Sequence, residues 1–199
     1  MFDDTGVGAH DDEVAELGVA QLAGDAEITG ITFDSRAVKP GDLFAALVGA
    51  KSDGHAFVAQ AVSAGASAVL AERRIEGVSV PQLVAANSPA TLGKIAAAFY
   101  GHPSRRVKVI GVTGTKGKTT TTYLVRSIAQ AAGMKAGLIG TISYSFGGED
   151  LPAVNTTPES LVVQQLLGEM VKHECDVAAM EVSSHALDQG RVDDVTFAA

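Results

Sequence analysis

Lys118 and Thr119 follow a glycine in the stretch GVTGTKGKTTTTYL, residues 111–124. A lysine there can reach the β- and γ-phosphates of a nucleotide, and a threonine hydroxyl can ligate Mg²⁺. Gly114 and Gly117 let the chain turn and bring backbone N–H groups close to phosphate oxygens. A strand before the loop and a helix after it would add the partial positive charge of a helix N-terminus. The nucleotide-binding candidates are therefore Gly114, Thr115, Lys116, Gly117, Lys118, Thr119 and Thr120, with Lys118 as the catalytic candidate. The general spacing G-x-x-x-x-G-K-[ST] is not met as written. Val112 stands five residues before Gly117, and the glycine lies one position earlier, at Gly111.

Other residues could complete such a site. Glu181 ends the apolar run CDVAAM, at the carboxyl edge of a sheet, where ligands bind in open α/β folds. It suits a Mg²⁺ ligand paired with Thr119; alternatively it bonds local N–H groups. Thr156 and Thr157 precede a helical pattern, where threonine caps. Arg191 can hold a carboxylate or phosphate with two parallel hydrogen bonds. His185 is open between a structural role and one near Mg²⁺. Asp34 and Arg36 read as a local ion pair, His55 and His102 as structural or exposed, and Cys175 as an inert core thiol.

These groups need a scaffold. Residues 1–24 are an acidic lead-in, with DDEVAELGVAQLAG (11–24) able to form a short helix. ITGITFDS and GDLFAALVG read as strands. GHAFVAQAVSAGA reads as a helix with Phe57, Ala61, Val62 and Gly65 at helical spacing. SAVLAE and VPQLVAA are strand-length runs, and SPATLGKIAAAFYG is a helix capped by Ser88. The polar break HPSRR sets a boundary between residues 25–102 and 103–199. Beyond it come the strand VKVIGVTG, a helix over 117–132, the strand KAGLIGTI and a hairpin around Gly147-Gly148. A helix starting at Thr157-Pro158 and the strand CDVAAMEVS follow. Alternating strands and helices predict an α/β fold with parallel sheets. DDVTFAA reads as the start of another strand, so the second domain is expected to be partial.

Composition narrows the function. A net charge of −8 argues against wrapping a nucleic-acid backbone and requires the few cations to gather wherever an anion binds. The first 35 residues hold nine Asp or Glu and no Lys or Arg, unlike a secretory signal, and no apolar run is of bilayer length. The single cysteine fits a cytoplasmic protein.

GVTGTKGKTTT resembles the nucleotide loop of the Mur ligase family, written T-G-T-N-G-K-T. Three further blocks look like family blocks in the same order: DSRAVKPGDLFAALVGAKSDGHAFVAQAVSAGASAVLAE (34–72), NTTPE (155–159) and MEVSSHALDQGRV (180–192). The combination resembles the members that add the third residue of the peptidoglycan stem. The resemblance implies a UDP-sugar-binding first domain and a truncated P-loop ATPase domain. It implies ATP and Mg²⁺ as cofactors, and transfer of the γ-phosphate to the D-glutamate carboxylate of a UDP-MurNAc-dipeptide. An amine, diaminopimelate or lysine, then displaces that phosphate to form an amide. It also implies substrate contacts at Phe33, Ser35, Asn155, Thr156, Thr157, Ser183, Gln189 and Arg191, and a monomer without membrane insertion. The fragment alone is not expected to ligate. Lys116 stands where asparagine is usual and adds charge beside the triphosphate. The alternatives are another Mur ligase, a folate polyglutamate ligase, or a nucleotide-binding module without catalysis.

Overall fold

A computed structural model describes residues 21–23, 25–49 and 52–199. Most of the expected helix over 11–24 lies outside them, and its last part, Gln21–Ala23, is a strand (β1) rather than helix. The pairing partner explains the difference: β1 runs antiparallel along the strand Gln82–Val84, with Leu22 opposite Leu83. Residues Ala50 and Lys51, within the family-like block 34–72, also lie outside the described set.

Two compact units divide at Leu92 and Gly93. The first holds β2 (Gly30–Thr32), β3 (Asp42–Ala45), α1 (Val58–Ser63), β4 (Ala68–Ala71), β5 (Gln82–Val84) and the start of α2 (Ser88–Phe99). Its sheet order is β1-β5-β4-β3-β2, parallel throughout except for β1. Every residue of β3 and β4 is buried, as central parallel strands demand. Phe44, Val58, Ala61 and Val69 form the core. Phe57 was expected on the buried helical face but is 40% exposed. A 3₁₀ turn over Gly54–Phe57 changes the phase before α1 begins, so Val58 faces inward instead.

His55 is buried beside this turn. Its Nε2 accepts from the Glu72 backbone N–H at 3.1 Å, so its proton sits on Nδ1 and points to Asp53 Oδ1. Asp34 and Arg36 form the expected ion pair, with two bonds of 2.9 and 2.7 Å.

The second unit contains the end of α2 and then β6 (Lys108–Val112), α3 (Lys118–Ala131), β7 (Ala136–Ile139), β8 (Ser143–Phe146) and β9 (Glu149–Pro152). α4 (Ser160–Lys172), β10 (Val177–Glu181) and α5 (Ser184–Asp188) complete it. The C-terminal half of α2 packs here: a side chain on Gly93 would meet Asp194, and one on Gly168 would meet Tyr100 just past the helix. The sheet order is β6-β10-β7-β8-β9. β10 inserts between β6 and β7, parallel to both, and all five of its residues are buried. β8 and β9 form the hairpin expected around Gly147 and Gly148. Leu166 and Met170 of α4 lie in the core with Val109, Ile139 and Met180, and Leu161 is buried as well. The chain's last residues add to the outer edge of β6. Ala198 N–H donates to Val109 O at 2.8 Å, and Gly111 N–H donates to Ala199 O at 2.9 Å.

α4 starts at Ser160, with Glu159 in the cap position, not at Thr157. Thr157 is drawn away by bonds to β10, and the helix begins only after Pro158.

Candidate functional site

Register places the phosphate loop and Glu181 together. Glu181 pairs with Val112, so β10 ends beside the point where β6 opens into the loop. Gly114 and Gly117 have φ of +149° and +81°, conformations that favour glycine. Gly117 is the N-cap of α3 and provides no side-chain cap bond. The first N–H groups of α3 have no partner within the helix and can receive an anion. Thr115, Lys116 and Thr120 are exposed around this turn. Lys118 Nζ folds back to donate to Gly114 O at 2.7 Å, which holds the ammonium over the loop. Gly111 plays a different part from the loop glycines. It lies inside β6, and a side chain there would come within 2.7 Å of the Phe197 ring.

Glu181 is 1% exposed. Its Oε2 accepts from Thr119 Oγ1 at 3.0 Å and from Thr141 Oγ1 at 3.1 Å, and its Oε1 accepts from Thr141 N–H at 2.9 Å. Thr141 Oγ1 also lies 3.0 Å from Thr156 Oγ1. Its single proton goes to the carboxylate, which can only accept, so its oxygen accepts from Thr156. Among the described residues, no cation forms an ion pair with Glu181. A buried carboxylate surrounded by neutral donors is a costly arrangement that a bound cation would offset. One carboxylate and one hydroxyl, both hard oxygen donors, suit Mg²⁺, which retains waters and takes further oxygens from phosphate. The described residues hold no larger His, Cys, Asp or Glu cluster that could bind a metal.

The remaining candidates surround β10. Asn155 is exposed, with its backbone clamped by the Tyr144 hydroxyl, which donates to Asn155 O at 2.7 Å and accepts from Asn155 N–H at 3.1 Å. Ser183 caps α5, its Oγ accepting from Ala186 N–H at 3.1 Å. Arg191 donates to Thr157 O at 2.9 Å and to Gln189 Oε1 at 2.9 Å, and pairs with Glu159 at 2.7 Å. Thr157 is buried. His185 is exposed on α5. In the first unit, Phe33 is 37% exposed and the Ser35 hydroxyl lies near Gln60.

Spacing did not reveal Thr141, the closest partner of Glu181. An isolated threonine after a strand carries no local signal, and its role comes from β7 lying next to β10. A cavity of about 390 Å³ lined by Met134, Lys135, His173, Cys175 and Gly147 lies at the amino ends of β7 and β10, away from the loop. Burial pushes the Cys175 thiol up, which keeps it inert.

The described residues contain no helix long and apolar enough to cross a membrane. Residues 27–100 match the family model "Mur ligase family, catalytic domain", and residues 112–199 match "Mur ligase middle domain". The chain is 50% identical over 169 residues to the UDP-N-acetylmuramoyl-L-alanyl-D-glutamate--2,6-diaminopimelate ligase of Geobacillus thermodenitrificans, covering 85% of this chain and 34% of that one. It is 49% identical over 186 residues to the enzyme of the same name from Streptomyces coelicolor, covering 92% and 37%. The chain thus spans about a third of the length of these relatives. A solved structure of a ligase with that name aligns with a TM-score of 0.72 at 27% identity, covering 85% of this chain and 35% of that one. The MurF ligase of Thermotoga maritima, solved in complex with ADP, aligns at 0.57 and 25% identity, covering 81% and 34%.

Proposed function

The chain belongs to the Mur ligase family, and from that premise we propose that it supplies the UDP-binding and ATP-binding parts of a peptidoglycan ligase. The reaction joins 2,6-diaminopimelate, the amino acid in the relatives' names, to UDP-N-acetylmuramoyl-L-alanyl-D-glutamate. ATP phosphorylates the D-glutamate carboxylate, and the amine of the incoming amino acid displaces that phosphate as the amide forms. The amino acid is held by a part of the enzyme outside this sequence. The same reading makes the protein cytoplasmic and monomeric, with no nucleic-acid partner.

The chemistry brings a carboxylate towards a triphosphate. Both are anions, so the site must supply fixed positive charge and donors. Gly114 through Thr120 cradle the phosphates, and Lys118 turns its ammonium from Gly114 O towards the transferred group. Thr119 and Glu181 hold Mg²⁺. When bound, Mg²⁺ neutralises charge on the phosphate oxygens. Asn155, Thr156, Thr157, Ser183, Gln189 and Arg191 face the muramoyl peptide, and Phe33 and Ser35 face the uridine end.

One observation carries the reading: Glu181 is buried, forms no ion pair among the described residues, and touches Thr119 of the phosphate loop. The test is ligand-induced thermal stabilisation. ADP with Mg²⁺, and separately the UDP-linked dipeptide, should each stabilise the chain, by about 2.7 kcal/mol at a hundred times the Kd. Stabilisation by GTP with no response to the UDP-linked dipeptide overturns the proposal.

A further inference from the structure

Thr141 stands where two parts of the site meet. It follows β7 directly after Gly140, and it is exposed. Its N–H donates to Glu181 Oε1 at 2.9 Å, and its hydroxyl donates to Oε2 at 3.1 Å. Both of its polar protons are therefore given to the carboxylate. Its oxygen keeps a lone pair, and Thr156 Oγ1 lies 3.0 Å from it. An ionised carboxylate only accepts, so the chain has one direction: Thr156 donates to Thr141, and Thr141 donates to Glu181. A hydroxyl that accepts one hydrogen bond becomes a stronger donor in the next. The loop at 155–157 is thus linked to the carboxylate that touches Thr119.

The neighbouring ties act differently. Thr119 Oγ1 and the Thr141 N–H hold the Glu181 carboxylate without involving the loop. The Thr157 hydroxyl joins the loop to β10 at the backbone, donating to Glu181 O at 2.8 Å. That strand end is also held from the other side, because Val182 N–H donates to Val112 O at 2.8 Å. Among the described residues, the Thr141 hydroxyl joins the loop to the carboxylate itself.

We propose that Thr141 is a positioning residue that couples the muramoyl-peptide loop to the metal site. The proposal rests on the reading given above, in which Thr156 faces the peptide and Glu181 holds Mg²⁺. Bound dipeptide fixes Thr156, Thr156 fixes the Thr141 hydroxyl, and that hydroxyl orients the carboxylate, as groups behind a metal ligand do. Dipeptide then tightens the binding of ADP with Mg²⁺, and ADP with Mg²⁺ tightens dipeptide by the same factor.

Calorimetry on the 199-residue chain measures ADP affinity with and without saturating UDP-linked dipeptide, in Mg²⁺ and in EDTA. In Mg²⁺ the dipeptide should tighten ADP about fivefold, the lower end of ordinary coupling between sites. In EDTA it should give no tightening. Thr141→Val keeps the shape and the backbone N–H, and should bring the factor in Mg²⁺ close to one. Thr141→Ser should restore it. Thr156→Val leaves both Thr141 bonds to Glu181 in place and should lower the factor as well. A residue that only supports the fold, or only binds dipeptide, would change the affinities and leave the factor. An unchanged factor in either valine variant overturns the proposal, and so does a tightening that persists in EDTA. An ADP affinity indifferent to Mg²⁺ removes the metal reading of Glu181, and this proposal with it. A wild type that responds to Mg²⁺ and binds the dipeptide, yet shows a factor of one, removes the coupling alone.

Discussion

Gly140 leaves the space that Glu181 occupies: a Cβ at Gly140 would lie 2.5 Å from Glu181 Oε1. The glycine follows the last residue of β7 and precedes Thr141, whose N–H and hydroxyl both hold that carboxylate. Gly140→Ala therefore either turns Glu181 away from Thr119 or shifts β7 against β10. The expected outcome is a loss of about 1–3 kcal/mol in stability from overpacking. Mg²⁺-dependent ADP binding should fall with it. Chemical denaturation and calorimetry with and without Mg²⁺ check the two effects.

Lys118→Met removes the ammonium that lies over the loop. The only hydrogen bond its Nζ makes among the described residues is to Gly114 O in the loop itself, so the fold should survive. A hydrogen bond from a charged donor contributes about 1.5–3 kcal/mol. ADP affinity is expected to drop roughly tenfold to a hundredfold, with thermal stability of the unliganded chain unchanged. Titration calorimetry beside a thermal melt separates the two.

Lys116 is exposed beside the same glycines. Lys116→Asn should weaken nucleotide binding by about 1 kcal/mol or less, as for an exposed charge. It should also flatten the dependence of affinity on salt, because screening then acts on one fewer charge. ADP affinity measured across a salt series reads both effects, and unchanged affinity and slope would remove Lys116 from the phosphate site.

Asp53 makes a pH-dependent contribution to the stability of the first unit. Its carboxylate accepts from the His55 backbone N–H, the His55 ring and Arg73, and these hold its pKa at about 2 against an ordinary 3.8. A depressed carboxylate stabilises the fold above its unfolded value and stops doing so as pH falls through its folded value. Asp53→Asn should therefore lower the melting temperature at pH 7. The gap between variant and wild type should close as pH drops from 3.8 towards 2. Melting curves across pH 7 to 2 test this, and a gap constant with pH would contradict it.

What was legible in the sequence was whatever leaves a local trace. The phosphate loop shows as glycines and a Lys-Thr pair between an apolar strand and a helix, and the structure places these elements there. β10 shows as a run of apolar residues ending in Glu181. The partners of that glutamate were harder to read. Thr119 and Thr141 lie 62 and 40 residues from it in sequence, and only the insertion of β10 between β6 and β7 brings them together. Thr157 was read as a helix cap because threonine before proline has that local meaning. Its hydroxyl is instead taken by two backbone atoms 24 and 26 residues away. The short helix α5 was missed, although Ser183 three residues before Ala186 is a capping signal; five residues are too few to show helical periodicity.

The two edges of the second sheet are protected from self-association by different means. β9 is exposed along its whole length, and its sequence, Glu-Asp-Leu-Pro, brings two charges and a residue without an N–H to that edge. Such an edge resists pairing with a strand from another molecule. β6 has only one charged residue, Lys108, and its outward groups are satisfied by Ala198 and Ala199, with the Phe197 ring lying over Gly111. Those three residues act as a plug in an otherwise sticky margin. Ala198→Pro would remove the N–H that the Val109 carbonyl accepts from, on a strand lined with valine and isoleucine. That variant should form oligomers through β6, visible by light scattering, while its phosphate loop stays intact.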